Sequence, residues 1–217
     1  MSFKAAIFDL DGVVVNTVPV HFKAWKKMFE EYGKTFTFDD YQAKVDGIPR
    51  TDGTRAILTD LSPEELEEAA TKKQTYFLEF LNQSEIPRYD STIRLIHELK
   101  KAGKKVAVVS SSKNCPDILK RIGLYNDLDY VISGADITKG KPDPQIFLMA
   151  AEKLGASPSE SIVFEDAVLG VKAGKNAMMK CVGIDRYDDH ARLKQADIIV
   201  GDLEEIDIPQ LEALIKE

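Results

Sequence analysis

The chain has 217 residues, enough to bury a core and to carry a second, smaller module. Hydrophobic residues make up 44% and charged residues 30%, the balance of an ordinary soluble globular protein. The formal net charge of −7 argues against a nucleic-acid partner, because phosphate-backbone affinity needs clustered Lys and Arg; any phosphorylated ligand must be met by few, local cations.

In chain order, residues 5–8 are a continuous apolar run of the buried-strand type. From Val18 to Leu81 the pattern is helical throughout. Phe22, Trp25, Phe29 and Tyr32 recur at helical spacing up to Gly33, and Ser62-Pro63-Glu64-Glu65 is a capping box with proline at the first helical position, opening a helix that runs to about Leu81. Ser91 to Ala102 carries Ile93, Ile96 and Leu99 on one face and stops at Gly103. Strand-like runs follow at 106–109 and 130–132. Asp143-Pro144 then caps a helix with Ile146, Phe147, Ala150 and Leu154 on one face and Gly155 behind it. Further strand-like runs lie at 162–164, 181–184 and 198–200.

Strands alternating with helices predict an α/β fold, a doubly wound, mainly parallel sheet of Rossmann-like type, with an inserted all-helical cap domain. The expected division is 1–16 and 83–217 for the catalytic core and 17–82 for the cap. An insertion directly after the first strand sits above the carboxyl edge of the sheet, where open α/β sheets bind ligands. Cys115 and Cys181 have neither metal-ligand spacing nor a disulfide pattern and read as reduced thiols. No run reaches membrane-spanning length and no leader pattern opens the chain, so a cytoplasmic monomer without a membrane partner is expected.

Four stretches carry chemistry. Phe8-Asp9-Leu10-Asp11-Gly12 places two carboxylates where a strand ends, on one side of an extended chain, before a glycine that can turn sharply. Two acids so close separate in pKa unless a cation intervenes, which suits one nucleophile and one proton carrier. A solvated Asp-rich turn is the plain alternative, while the full calcium-loop pattern is absent. Glu165-Asp166 follows another strand and reaches the same edge, where converging acids can hold magnesium; the alternative is that Asp166 caps the next helix. Lys141, before Pro142, offers an ammonium close to Asp9, or is a solvated surface charge. Ser110-Ser111-Ser112-Lys113-Asn114 offers hydroxyls and backbone N–H groups at a strand end, or is a loop capped by Asn114. The stretch 134–141 suggests a P-loop, but its spacing is one residue too long and Pro142 replaces the magnesium-binding hydroxyl.

In their order, Asp9-Leu10-Asp11-Gly12-Val13, Ser110, Lys141-Pro142 and Glu165-Asp166 resemble the four motifs of the haloacid dehalogenase superfamily of phosphatases and phosphomutases. Asn16-Thr17, His21 and Ala24-Trp25 resemble its β-phosphoglucomutase branch. The resemblance implies that Asp9 attacks phosphorus and becomes an aspartyl phosphate, and that Asp11 is the acid/base partner. It implies magnesium held by Asp9, the Asp11 carbonyl and Asp166, with Glu165 beside them, and a phosphoryl group bound by Ser110, Lys141 and Asn114. The cap stretch Asp46-Gly47-Ile48-Pro49-Arg50 is similar to a mutase specificity loop at Gly47 and Arg50. It departs at Asp46, where Lys is usual, and at Pro49, where Ser is usual. Arg50 could clamp a second phosphate bidentately, whereas Asp46 repels one. His21 and Lys72 match cap positions that tune Asp11, and Trp25 is cap core or a substrate wall. The substrate expected is a small phosphorylated metabolite, a sugar phosphate above all, with hydrolysis favoured and β-phosphoglucomutase activity as the alternative. A metal-independent dehalogenase has no use for Asp11 and the Glu165-Asp166 pair. A non-catalytic phosphate-binding module is the remaining alternative.

Overall fold

The computed structural model describes residues 2–83 and 85–216; Met1 and Glu217, the outer ends of the two predicted core segments, and Ser84, next to the cap junction, lie outside the described residues. Strand β1 (Ala5–Asp9) is followed by four helices, α1 (Val18–Glu31), α2 (Phe38–Lys44), α3 (Arg50–Ile57) and α4 (Pro63–Leu81). The chain then runs through α5 (Asp90–Lys101), β2 (Lys105–Val109), α6 (Cys115–Arg121), β3 (Tyr130–Ile132) and α7 (Gln145–Leu154). It ends with β4 (Ser161–Glu165), α8 (Val168–Asn176), β5 (Lys180–Ile184), β6 (Ile198–Val200) and α9 (Ile208–Leu214). Each predicted strand is present within a residue of its expected bounds.

The sheet order is β3-β2-β1-β4-β5-β6, and every pairing is parallel. Strands of this kind are apolar without alternation because both faces are covered. Ala6, Phe8, Val106, Val108 and Phe164 face one core with residues of α5, α6 and α9. Ala5, Ile7, Ala107, Val109 and Val163 face the other with residues of α7 and α8. Phe8 and Phe164 stack across adjacent strands with ring centroids 4.2 Å apart. From β1 the chain winds outward to β3, then returns to place β4 on the other side of β1. The ends of β1 and β4 therefore border the switch-point crevice where such sheets take ligands.

The cap is a layer of its own, with Trp25, Met28, Phe29, Tyr41 and Leu66 in a separate apolar cluster. Its inner helices are also rooted below, since Ala24, Phe77 and Leu81 belong to the sheet's own core. The predicted capping box is present: the Ser62 hydroxyl accepts from the Glu65 N–H at 3.3 Å, and the Glu65 carboxylate accepts from the Ser62 N–H at 2.8 Å. The start of α7 differs in detail. The Asp143 carboxylate accepts from the Gln145 N–H at 3.0 Å, while Pro144 occupies the cap position and cannot cap by side chain. Among the described residues no helix is long and apolar enough to cross a membrane.

Phe164→Ala removes a fully buried ring that carries the stack on Phe8. It is expected to cost about 3–5 kcal/mol in urea unfolding, the usual range for aromatic truncation in a core.

Candidate active site

At the end of β1 the backbone turns at once. Gly12 has φ 87°, and a Cβ there would lie 1.9 Å from Asp166 Oδ2, so any side chain at this position would fill the space that Asp166 occupies. The turn leaves Asp9 almost fully buried at the sheet edge, and its Oδ2 accepts the Asp11 N–H at 3.0 Å. Lys141 comes from the loop before α7. Its ammonium, 1% exposed, donates to Asp9 Oδ1 at 2.5 Å and to Glu165 Oε2 at 2.6 Å. Lys141 is therefore not a solvated surface charge. Burial alone would favour its neutral form, but the Asp9 and Glu165 carboxylates outweigh that and hold it above the ordinary lysine range. The second oxygen of Glu165 accepts the Ala167 N–H at 3.1 Å.

Asp166 does not cap α8; the cap residue is Ala167, with no side-chain bond. Its carboxylate faces the cluster instead. Burial, then Asp46, Glu165 and Asp9 push its pKa well up, with Lys141 as the opposing charge. Burial and Glu165 likewise push Asp9 up, against the pull of Lys141. Ligand atoms of Asp9, Glu165 and Asp166 lie within 4.8 Å of one another. Three buried carboxylates share one ammonium, which leaves surplus negative charge in a small volume. That is a donor set suited to a hard, oxygen-seeking divalent cation. Both oxygens of Glu165 and both of Asp9 already accept hydrogen bonds, so Asp166 is the least engaged of the three carboxylates, with Glu165 anchoring Lys141.

Asp11 stands in a different environment. Its Oδ1 accepts from the Thr17 hydroxyl and lies 3.2 Å from His21 Nε2, and its Oδ2 accepts from the Ser110 hydroxyl at 2.9 Å. Burial would raise its pKa, but His21, Thr17 and Ser110 together hold it well below the usual carboxylate range. The two acids do separate in pKa, as the sequence implies, but in the opposite sense to their expected roles. Asp9, the expected nucleophile, is pushed towards protonation, and Asp11, the expected proton carrier, is held ionised. The physical reason is that Asp11 collects donors from the cap and β2 loop, while Asp9 sits among other acids.

Behind His21 lies Lys73, 2.9 Å from His21 Nδ1 and over the rings of Trp25 and Phe77. Burial pushes the Lys73 pKa down to about 7, and burial with the Lys73 charge also lowers that of His21. The expected partner, Lys72, is not at the site. It is 41% exposed and points to Glu31 at 3.8 Å on the outer face. Helical periodicity carried this information, because Leu66, Ala69, Lys73, Phe77 and Leu81 form one buried stripe of α4 and Lys72 lies off it.

The cavity between cap and core measures about 200 Å³ and is lined by Asp9, Asp11, His21, Trp25, Asp46, Gly47, Arg50, Lys73, Ser110, Ser111, Ser112, Lys113 and Asp166. Trp25 is both wall and cap core, stacked on Phe29. The Ser111 hydroxyl is spent on the Gly47 carbonyl at 2.7 Å, and Ser112 accepts from Asn114. Asn114 makes a reciprocal amide pair with Gln74 of α4, at 2.8 and 3.3 Å. Gln74 and Tyr41 line the same cavity and were not singled out from sequence, since a polar residue on a helix gives no pattern until the opposing loop is placed. Arg50 has an Nε that is buried without a partner. Asp46 is buried; burial pushes it up to about 6, with the Tyr41 hydroxyl hydrogen bond opposing.

A family model described as haloacid dehalogenase-like hydrolase matches residues 6–184, spanning β1 to β5 and all four motifs. The chain belongs to the haloacid dehalogenase-like hydrolases. Among members of this family it is 37% identical to a β-phosphoglucomutase of Mycobacterium bovis over 94% of this chain and 91% of that protein. It is 32% identical to a phosphorylated carbohydrates phosphatase of Thermotoga maritima over 80% and 81%. The crystal structure of a β-phosphoglucomutase from Clostridium difficile superposes with a TM-score of 0.90 at 27% identity, covering 99% of this chain and 97% of that one. These likenesses establish a haloacid dehalogenase-type enzyme acting on phosphorylated substrates.

The raised pKa values of Asp9 and Asp166 give two expectations. In metal-free protein the folded state keeps protons that the unfolded state releases above about pH 4, so stability falls as pH rises through the folded values. Uptake of a divalent cation by this cluster would displace those protons, so calorimetry with magnesium in buffers of different ionisation enthalpy should show proton release and an affinity that increases with pH. Asp166→Asn should raise the melting temperature in chelator, where about 1 kcal/mol is worth roughly 2–4 °C for a chain of this size. It should also abolish the magnesium-induced rise, about 2.7 kcal/mol at a hundredfold excess over Kd in the parent protein. For the cap, Lys73→Ala should lower kcat at least about tenfold while Lys72→Ala stays within about twofold, in steady-state assays on one sugar phosphate.

Proposed function

We propose that this chain is a magnesium-dependent phosphatase for a singly phosphorylated sugar or similarly small metabolite, working through an aspartyl phosphate on Asp9. The observation that carries the reading is the buried set of Asp9, Lys141, Glu165 and Asp166 facing Asp11 across one small cavity. A cavity of about 200 Å³ falls below the roughly 300–1,000 Å³ of drug-sized sites, which favours a compact metabolite.

Asp9 Oδ2, which accepts the backbone N–H of Asp11, is the oxygen to attack, because Oδ1 is held by the Lys141 ammonium. As its bond to phosphorus forms, the bond from phosphorus to the sugar oxygen breaks, and that oxygen needs a proton. Asp11 is the donor, but it rests ionised, so a proton must reach it first. The line from Lys73 to His21 Nδ1, and from His21 Nε2 to Asp11 Oδ1, is a hydrogen-bonded path along which one can be delivered. In the second half-reaction Asp11, again a carboxylate, takes a proton from water; the water oxygen bonds to phosphorus, and the bond from phosphorus to Asp9 breaks to release inorganic phosphate. Lys141 stays beside the transferring group throughout and opposes its charge. Magnesium held by Asp9, Asp166 and the Asp11 carbonyl supplies charge neutralisation for the phosphoryl oxygens.

Asp46 supports hydrolysis over mutase chemistry. It stands in the cavity wall near Asp166, where a second phosphate would meet a carboxylate. The mutase reading is favoured by Arg50, whose buried and unpaired Nε is suited to an anion, and by the likeness to β-phosphoglucomutases.

Assaying β-glucose 1-phosphate with and without a bisphosphate activator separates the two: free phosphate is expected, and glucose 6-phosphate as main product would replace this reading with the mutase. Asp11→Asn should reduce turnover at least about 10²-fold, within the range of general acid/base catalysis, while leaving magnesium affinity within about threefold.

A further inference from the structure

We infer that Gly140 is a positioning residue: it is the seat onto which the cap docks through Pro49, and this docking sets selection for substrates held beneath the cap. The inference rests on the phosphoryl-transfer reading above and adds a residue that none of the four motifs contains.

The cap loop 46–50 reaches into the core at three points. The Ser111 hydroxyl of the loop after β2 donates to the Gly47 carbonyl at 2.7 Å. Gly47 itself lies against Ala167 and the aliphatic stem of Lys141, each 3.6 Å from its Cβ position. The third contact is the closest. A Cβ on Gly140 would lie 2.1 Å from Pro49 Cδ and 2.6 Å from Pro49 Cγ, whereas real Cβ atoms essentially never come within 3.0 Å of a neighbour. All three nearest atoms to that position belong to Pro49, and Gly140 lies outside the left-handed region, so an alanine there is opposed by Pro49 alone.

The consequence follows from stiffness. A proline ring cannot move aside as a flexible side chain can, because its φ is locked. Pro49 also directly precedes Arg50, the first residue of α3, and follows Asp46 by three positions. Where Pro49 rests therefore fixes how far Arg50 and Asp46 reach into the cavity. Gly140 adjoins Lys141, so the same seat brings the loop down against the Lys141 stem. Pro49, where the cap loop departs from the resembled pattern, and the glycine seat opposite it form one complementary contact.

The test compares the full chain, Gly140→Ala, Pro49→Ala and the double variant, each with magnesium. Substrates are β-glucose 1-phosphate and acetyl phosphate, whose small leaving group needs no cap contact. Gly140→Ala should lower kcat/KM on the sugar phosphate by about 10–100-fold, chiefly through KM, and change acetyl phosphate turnover by less than about threefold, the scale set by misplacing a positioning group by about 1 Å. Amide hydrogen exchange in the segment 46–52, which needs no activity, should quicken at least about tenfold. Pro49→Ala removes the clashing ring atoms, so the double variant should match Pro49→Ala in both readouts, a strongly non-additive cycle. Unchanged exchange in Gly140→Ala, additive effects, or equal loss on both substrates would overturn the inference. Absence of turnover of either substrate by the parent protein would sink the phosphatase reading instead, and the exchange cycle would still decide the role of Gly140.

Discussion

The site depends on a single ammonium, that of Lys141, suspended between Asp9 and Glu165 with almost no contact with water. Burying a charge is costly unless it is paired and well bonded, and a buried pair contributes little net stability once desolvation is subtracted. What the arrangement secures is position. Glu165 is locked by the Ala167 N–H, Lys141 is locked by Glu165, and Asp9 receives a charged donor on one oxygen and the Asp11 N–H on the other. With Asp166 added, the cluster is overloaded with negative charge, so in this fold binding a cation is also a way of relieving electrostatic strain.

The second acid follows a different logic. Asp11 is two residues from Asp9 yet belongs electrostatically to the cap, through Thr17, His21 and, behind it, Lys73. Its proton inventory is therefore set by a helical layer that must be seated on the core for the chain of donors to be complete. That seating is made by a few contacts: Ser111 on Gly47, Gln74 on Asn114, and Pro49 on Gly140. Chemistry on the core and selection by the cap are in this way parts of one closed arrangement.

The cap loop is also where this chain departs from the mutase pattern it resembles. Asp46, Pro49 and Arg50 lie within five residues and act on the same cavity with different signs. On the reading proposed here Asp46 disfavours a second anion, Arg50 welcomes one, and Pro49 governs how deep both of them reach. Specificity here is a difference between attractive and repulsive elements.

Much of this was legible beforehand. Six apolar runs gave the strands, since a strand covered on both faces cannot alternate, and the capping box at Ser62 marked the start of α4 because its two bonds are local. Asp9, Asp11 and Asp166 could be named because their chemistry sits at or just past strand ends, where chain order and sheet edge coincide, and Lys141, in the loop before α7, because of its place in the order of the motifs. Tertiary structure alone decided the rest. Lys73 rather than Lys72 reaches His21, the Ser111 hydroxyl donates to the Gly47 carbonyl of the cap, and Glu165 anchors Lys141. The ionisation order of Asp9 and Asp11 also reversed, because a carboxylate's pKa is set by which charges and donors surround it in space. Periodicity and motif order are properties of neighbours along the chain; pairing across a cavity comes into being only when distant segments pack.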